Sequence, residues 1–99
     1  PENMVHVVIN NGAHETVGGM PTVAAKIDLP AIAKGCGYPY AVRVDNFEQL
    51  DQELKAAKER KALSLIEVKC AIGAREDLGR PTTTARENKE NFMAFLKNE

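Results

Sequence analysis

The sequence predicts an α/β fold, a three-layer, open and mainly parallel sheet whose elements follow the order β-α-β-α-β-α. Three short segments rich in β-branched residues, 4–9, 40–44 and 63–70, have the character of strands. A helical pattern follows each of them. Strands that alternate with helices along a chain are typical of a parallel sheet with right-handed crossovers.

The first strand, 4–9, is apolar except at His6. This composition is typical of a strand covered by helices on both faces, so we expect His6 to be packed in the core. Residues 11–22 contain three glycines, one proline and two threonines, and they predict a long loop. Long loops more often carry function than short connections do.

Two helices are predicted on either side of the second strand, 40–44. Asp28 is expected to cap the first, with Pro30 in its first turn and its end at Gly35 or Gly37. Its apolar face would carry Leu29, Ile32 and Ala33. The second helix begins after Asp45 or Asn46 and runs to about Lys61. Its buried face is predicted from three- and four-residue spacing of Phe47, Leu50, Leu54 and Ala57.

The third strand, 63–70, has Glu67 and Lys69 on one face, which favours a partly exposed face or an edge position. A second long loop covers 71–84. Thr84 and Glu87 have the spacing of a capping box and predict the start of a last helix. The apolar stripe of this helix would consist of Phe92, Met93, Phe95 and Leu96.

Composition indicates a single small domain over residues 1–99 and excludes several kinds of partner. Thirteen basic and fourteen acidic residues give a formal charge of −1, which argues against nucleic-acid binding. No apolar run is long enough to span a membrane. Cys36 and Cys70 have no partner motif, so we expect reduced thiols in a cytoplasmic protein and disfavour a redox function.

Both long loops follow strands, and in open parallel sheets ligands bind beyond the carboxyl ends of the strands. The first loop is the stronger candidate because Asn10, Asn11, His14 and Glu15 are interleaved with glycines. Amide oxygens suit a hard cation, and His14 and Glu15 could act as acid and base. The alternative is a purely structural loop, in which the asparagines cap the strand end.

Other candidate sites are weaker. The Gly35-Cys36-Gly37 segment follows a helix rather than a strand, and we interpret it as a helix stop. In the second loop, Arg75 and Arg80 have the chemistry to pair with a phosphate or a carboxylate. Local salt bridges to Glu76 and Asp77 are the alternative.

The stretch VVINNGAHETVGGMPT resembles the second half of the thiamine-diphosphate motif, in which a strand ends in Asn-Asn. With YPYAVRV and LIEVKCAIGAREDLGRPTTTARENKENFM, it is similar to the C-terminal part of the phosphonopyruvate decarboxylase family over nearly the whole chain. The resemblance implies thiamine diphosphate and Mg²⁺ as cofactors and a 2-oxo acid as substrate. Phosphonopyruvate would yield phosphonoacetaldehyde and CO₂, with the cofactor as electron sink.

The resemblance also assigns residues. The side chain of Asn11 and the backbone carbonyl of Ala13 would bind Mg²⁺, and Gly12 would lie against the cofactor. His14 and Glu15 would then lie near the diphosphate or the substrate, and they are the candidate catalytic residues. Which of the two contacts which group stays open.

The chain departs from the family pattern because it contains no Gly-Asp-Gly, which would supply an acidic Mg²⁺ ligand. The family's catalytic glutamate, on a separate domain of a neighbouring chain, is missing too. We therefore expect residues 1–99, which begin without Met, to be the C-terminal half of a cofactor-binding domain and to be inactive alone. A complete site would need the rest of the parent chain and a second subunit. Alone, the chain should be marginally stable or form a homodimer.

Two alternatives stay open at this point. Within the same class, the parent protein would be a sulfopyruvate decarboxylase subunit or another thiamine-diphosphate enzyme. In a different class, the chain would be a non-catalytic α/β binding module whose Asn-Asn loop is an ordinary turn. The sequence upstream of Pro1 separates the two classes, since a strand followed by Gly-Asp-Gly supports the enzyme.

Overall fold

The computed structural model describes residues 1–98 and has the predicted α/β architecture. In chain order its elements are β1 (Val5–Asn10), β2 (Ala13–His14), β3 (Met20–Pro21), α1 (Leu29–Gly35), β4 (Tyr40–Val44), α2 (Phe47–Arg60), β5 (Ser64–Lys69) and α3 (Ala85–Lys97). The main sheet has the strand order β1-β5-β4, with both pairs parallel. The predicted alternation of strands and helices is confirmed, and a small hairpin, β2–β3, is inserted after the first strand.

The prediction of an edge or partly exposed position for the third strand is wrong. β5 lies at the centre of the sheet, with Val7 of β1 and Val42 of β4 opposite Ile66. Glu67 is fully buried. The sequence pattern misled because a charged residue in a strand usually marks solvent, whereas this carboxylate is paired inside the protein.

Hydrophobic clusters on both faces of the sheet give the three layers. On one face, Ala33 of α1 packs with Ala41 and Leu65. On the other, Ala57 of α2 packs with Val44 and Ile66. The neighbouring residues Leu65 and Ile66 belong to different clusters because successive strand side chains point to opposite faces.

The helices do not cover all of the apolar surface that the sequence predicted to be buried. On β1, Val5, Val7 and Ile9 are 40%, 41% and 66% exposed. The reason is that α2 packs over β4 and β5, so the same face of β1 is left open. Phe47, expected on the buried face of α2, is 90% exposed because it lies at the helix start, beyond the sheet.

The last helix forms where predicted but has no buried residue. Its apolar stripe is present and exposed, and it consists of Phe92, Met93, Phe95 and Leu96. Within residues 1–98, α3 therefore owes its stability to its own hydrogen bonds and caps rather than to packing.

His6 is exposed, which corrects its predicted place in the core. Its Nδ1 atom lies 3.0 Å from the Tyr38 hydroxyl. His6 is opposite Leu65 in the register and thus points to the α1 side, but α1 is too short to cover it. A histidine in an apolar run can remain exposed to solvent when its strand lies at the edge of the sheet.

Side-chain caps begin each main helix, as the sequence indicated. Asp28 accepts a hydrogen bond from Ala31 N in α1, and Asn46 accepts one from Gln49 N in α2. Asn46, rather than Asp45, is therefore the cap of α2. The capping box of Thr84 and Glu87 is formed in both directions. These caps satisfy amide groups that the first helical turn leaves without partners.

Among the helices of residues 1–98, none combines the length and apolar character needed to cross a membrane.

Candidate functional site

The segment after β1 is more ordered than the long loop that was predicted. Residues 13–14 and 20–21 pair as an antiparallel hairpin, and a single 3₁₀ turn, Glu15–Val17, lies between them. Gly18 and Gly19 close the hairpin with φ of 83° and 71°, in the left-handed region that glycine adopts without strain. The hairpin holds the residues after Asn10 in a fixed shape at the carboxyl end of β1.

Asn10, the first of the two asparagines, is part of the fold. It is 6% exposed, and its side chain forms hydrogen bonds at both ends. Its Nδ2 donates to Glu67 Oε1 at 2.7 Å, and its Oδ1 accepts from Gly12 N at 2.9 Å. Cys70 N donates to the Asn10 carbonyl at 2.9 Å. Held at both ends and 6% exposed, the Asn10 side chain fixes the start of the turn.

Glu67 holds the side chain of Asn10 in place, a role that the sequence did not predict. Its second oxygen, Oε2, accepts a hydrogen bond from Arg43 Nε at 2.8 Å. The hydrogen bond to Glu67 and its negative charge raise the pKa of Arg43 above the ordinary value. The available signal was one acidic residue within an apolar strand, together with an arginine in the neighbouring strand.

Asn11, the second asparagine, faces the other way and is only half-buried. Its Oδ1 accepts from Ala13 N at 3.0 Å, and its Nδ2 donates to Glu15 Oε1 at 2.7 Å. An amide oxygen has two acceptor positions, so one remains for a ligand. The two asparagines thus differ in burial: Asn10 is enclosed in the fold beside Glu67, while Asn11 is more accessible.

The carbonyl of Ala13 is also placed to accept a ligand. The hydrogen bond from Thr22 N to Gly12 O makes Ala13 and Pro21 a non-hydrogen-bonded pair of the hairpin. Pro21 has no N–H to donate. The Ala13 carbonyl therefore takes no hydrogen bond from β3. Gly12, with φ of 69°, gives the left-handed turn that brings Asn11 and Ala13 together.

These residues line one shallow cleft of about 240 Å³ at the carboxyl end of β1. Its lining includes the end of β1 with Asn10, the residues Asn11, Gly12, Ala13 and His14, and also Thr22, Ala24 and Leu29. The structure thus brings together four of the five predicted site residues. Glu15 does not line the cleft and reaches it only through its hydrogen bond to Asn11.

Glu15 also connects the two long loops. The same atom that binds Asn11, Oε1, accepts a hydrogen bond from Gly73 N at 2.9 Å. Gly73 has φ of 125°, which side-chain-bearing residues rarely adopt. The segment after β5 therefore lies beside the hairpin.

The weaker candidates contribute less to this site. Arg75 forms the local ion pair with Asp77 that the sequence allowed, with Nε 3.2 Å from Oδ1 and both side chains exposed. Exposed Arg80 lies in the same segment. Cys36 and Cys70 are free and exposed. Within residues 1–98, no three His, Cys, Asp or Glu side chains come together as a metal site.

A larger cleft of about 440 Å³ lies elsewhere, between the start of α2 and the end of β5. Its lining includes the apolar side chains of Phe47, Leu50 and Val68, together with Asp45, Asn46 and Lys69. The amide in its lining, Asn46, caps α2 by accepting from Gln49 N, and no glycine lines this cleft. The smaller cleft is the better candidate for chemistry.

Comparison with known proteins identifies the family of this chain. Residues 2–68, about two thirds of the chain, match the family described as "Thiamine pyrophosphate enzyme, C-terminal TPP binding domain". The chain belongs to this family. The match includes β1, the hairpin, α1, β4, α2 and most of β5, and therefore all of the cleft residues.

Relatives of this thiamine pyrophosphate domain carry the names of decarboxylases. A phosphonopyruvate decarboxylase of Streptomyces viridochromogenes is 34% identical over 96 residues, which cover 97% of this chain and 24% of the relative. One from Streptomyces hygroscopicus is 33% identical over 95 residues, with coverage of 96% and 24%. A sulfopyruvate decarboxylase of Methanosarcina acetivorans is 30% identical over 69 residues, with coverage of 69% and 18%. The chain spans about a quarter of the length of the first two relatives.

Proposed function

We propose that this chain is the Mg²⁺- and diphosphate-binding half of the cofactor domain of a decarboxylase that converts phosphonopyruvate to phosphonoacetaldehyde and CO₂. The observation that carries the proposal is the division of labour between the asparagines. Asn10 is 6% exposed and bound to Glu67, while the more accessible Asn11 has its oxygen in a cleft at the carboxyl end of β1. The names of the two Streptomyces relatives support phosphonopyruvate as the substrate.

The residues present fit a magnesium ion. Mg²⁺ prefers oxygen ligands, and Asn11 Oδ1 and the Ala13 carbonyl are neutral oxygens on either side of the Gly12 turn. Neutral ligands suit a cation whose charge is balanced mainly by the diphosphate. We propose that the remaining ligands are the diphosphate, water and an acidic side chain outside this chain.

When bound, thiamine diphosphate supplies the electron sink for the loss of CO₂ from a 2-oxo acid. The task of this chain is to hold and orient it. The hairpin amides and Gly12 allow close approach of an anionic group, and His14 lies at the cleft where the diphosphate or the substrate would be. Glu15 supports Asn11 rather than facing the cleft, so His14 is the better candidate for contact with the bound groups.

We propose that the rest of the parent protein and a second subunit complete the site. The exposed apolar faces of β1 and α3 support this, since Ile9, Phe92 and Phe95 are 66%, 61% and 58% exposed. Alone, the chain is then expected to be marginally stable or to dimerise. A strictly monomeric species in sedimentation with a high unfolding midpoint contradicts this part of the proposal. The free, exposed Cys36 and Cys70 fit a cytoplasmic location.

The substrate is tested in the parent protein with thiamine diphosphate and Mg²⁺, by following CO₂ release from phosphonopyruvate and from sulfopyruvate. Preference for phosphonopyruvate supports the proposal. Preference for sulfopyruvate favours the second candidate, which the Methanosarcina relative supports over a shorter part of the chain. Absence of turnover with either acid overturns both.

The fragment itself is tested by calorimetry, with thiamine diphosphate and Mg²⁺ titrated into the 99-residue chain. We expect no sub-micromolar binding, because the chain supplies only part of the metal's ligands. Sub-micromolar binding would show that the site is complete without the parent chain.

A further inference from the structure

We propose that Glu15 is a positioning residue that orients the Asn11 amide and holds the segment after β5 against the hairpin. That this contact serves to aim Asn11 Oδ1 at the metal rests on the proposed function. The contact itself consists of two hydrogen bonds. Glu15 Oε1 accepts from Asn11 Nδ2 at 2.7 Å and from Gly73 N at 2.9 Å.

The first bond decides which way the Asn11 amide faces. With Nδ2 bound to Glu15, Oδ1 is on the opposite side, where Ala13 N donates to it at 3.0 Å. A flipped amide would place its N–H groups against the Ala13 N–H and toward the cation. Both contacts are unfavourable, because two donors face each other and a cation meets a donor. Glu15 and Ala13 together therefore present an oxygen to the cleft.

The second bond joins two loops that are far apart in the chain. Glu15 and Gly73 are 58 residues apart. Among the hydrogen bonds within residues 1–98, this one connects the 11–22 segment to the 71–84 segment. One oxygen atom thus couples the orientation of Asn11 to the position of the loop that follows the central strand.

The shared acceptor gives the proposal a distinctive test. Because Oε1 receives both bonds, Glu15→Gln keeps an oxygen in place, and the negative charge is not essential. Glu15→Asp shortens the side chain by one methylene and cannot reach both donors without movement. Glu15→Ala removes the acceptor. A residue that acted only through its charge would fail equally in Gln and in Ala.

The experiment is NMR on the ¹⁵N-labelled chain without cofactor, for the wild type and these variants. The two readouts are water exchange of the Gly73 amide and the side-chain amide signals of Asn11. In Glu15→Ala we expect Gly73 to exchange about tenfold faster, as for loss of one hydrogen bond. The two Asn11 Nδ2 protons should move toward the shifts of an unbonded amide. Glu15→Asp should resemble Glu15→Ala.

Glu15→Gln should restore both readouts, with Gly73 exchange within about threefold of the wild type. Glu76→Ala, which removes an exposed carboxylate of the same segment as Gly73, is the matched control and should leave both unchanged. The amide of buried Ile66 reports whether each variant is folded. Unchanged Gly73 exchange in folded Glu15→Ala, or no rescue by Glu15→Gln, overturns the proposal.

A further experiment distinguishes failure of this proposal from failure of the function on which it rests. Mn²⁺ with thiamine diphosphate is added to the wild-type chain, and broadening of the amide signals near Asn11 is measured. If the signals near Asn11 do not broaden, the proposed metal site is contradicted, while the cofactor-free data still decide the role of Glu15. Equal broadening in the wild type and in Glu15→Ala contradicts the proposed purpose of the Glu15 contact.

Discussion

Asn10 at the end of β1 and Glu67 in the middle strand β5 are joined by a buried hydrogen bond of 2.7 Å. The bond connects the sheet to the functional loop, because the other end of the Asn10 side chain accepts from Gly12 N. Arg43 completes the arrangement from β4. All three main strands thus contribute to a polar contact at the carboxyl end of the sheet. This contact supports the turn in which Asn11 lies.

Removal of the buried carboxylate should destabilise the fold. Glu67→Ala leaves Asn10 Nδ2 without its partner and separates Arg43 from its counter-ion. Because Arg43 is partly exposed and can be solvated, we expect a loss of about 2–4 kcal/mol rather than that of a fully buried pair. Urea unfolding measures it. Glu59→Ala, at an exposed position of α2, is the control, and equal losses for the two variants would contradict this role.

The two asparagines should separate stability from binding. Asn10→Ala removes one buried and one partly buried side-chain hydrogen bond and leaves Glu67 Oε1 without its Asn10 partner, so we expect a loss of about 2 kcal/mol. Asn11→Ala, at a half-buried position, should cost less than about 1 kcal/mol. Under the proposed function, Asn11→Ala nevertheless abolishes the Mn²⁺-induced broadening. A larger stability loss in Asn11→Ala than in Asn10→Ala would mean that the roles are reversed.

Gly12 should be intolerant of a side chain because of its backbone conformation and not because of crowding. Its φ is 69°, and a Cβ atom there would have no heavy atom within 4 Å. We expect Gly12→Ala to cost about 1–2 kcal/mol. Gly12→Asn should cost less, since Asn tolerates this region better.

Gly35, which also has open space but lies in α1, is the comparison. Gly35→Ala should be neutral or stabilising by about 0.5 kcal/mol. Thermal unfolding of the three variants measures the difference, and equal effects at Gly12 and Gly35 would refute the backbone argument.

Much of this organisation was predictable because it is local in sequence. The alternation of strands and helices and the caps at Asp28 and Thr84 depend on periodicity and on neighbours within one turn. The Asn-Asn loop could likewise be recognised as a candidate site, since its residue types are unusual in so short a segment. These features are encoded by residues close to one another in the chain.

The misplaced features depend on contacts between distant residues. The order of the strands places β5 at the centre of the sheet, and no sequence pattern within residues 63–70 indicates that order. Glu67 appeared exposed because its partners, Asn10 and Arg43, are 57 and 24 residues away. Similarly, the apolar stripe of α3 shows which face is hydrophobic but not what covers it. The positioning contact of Glu15 with Gly73 was hidden for the same reason.

The start of α3 should depend on pH through its capping box. The hydrogen bond from Thr84 N to Glu87, and then the one from the Thr84 hydroxyl, lower the pKa of Glu87 below its ordinary value of 4.5. A lowered pKa means that this stabilisation is fully present above pH 4.5 and is lost as the pH falls through the folded-state value. Since α3 has no buried residue, the loss should be local to the helix.

The check is an NMR titration of the Glu87 carboxyl carbon together with amide exchange in the first turn of α3. In Thr84→Ala, the hydroxyl bond is absent, so the pKa of Glu87 should rise part of the way to its ordinary value and exchange should become faster. The global unfolding midpoint should change little. A large global loss would instead show that α3 is packed against the rest of the chain.

The central claim is that the turn from Asn11 to Ala13 holds the metal of a thiamine diphosphate site. Mn²⁺ and thiamine diphosphate added at millimolar concentration to the ¹⁵N-labelled chain test it directly, because paramagnetic broadening detects weak binding. The account predicts that broadening centres on Asn11, Gly12 and Ala13 and is lost in Asn11→Ala. Broadening centred on the exposed carboxylates of Glu76 and Asp77, or left unchanged by Asn11→Ala, would contradict it.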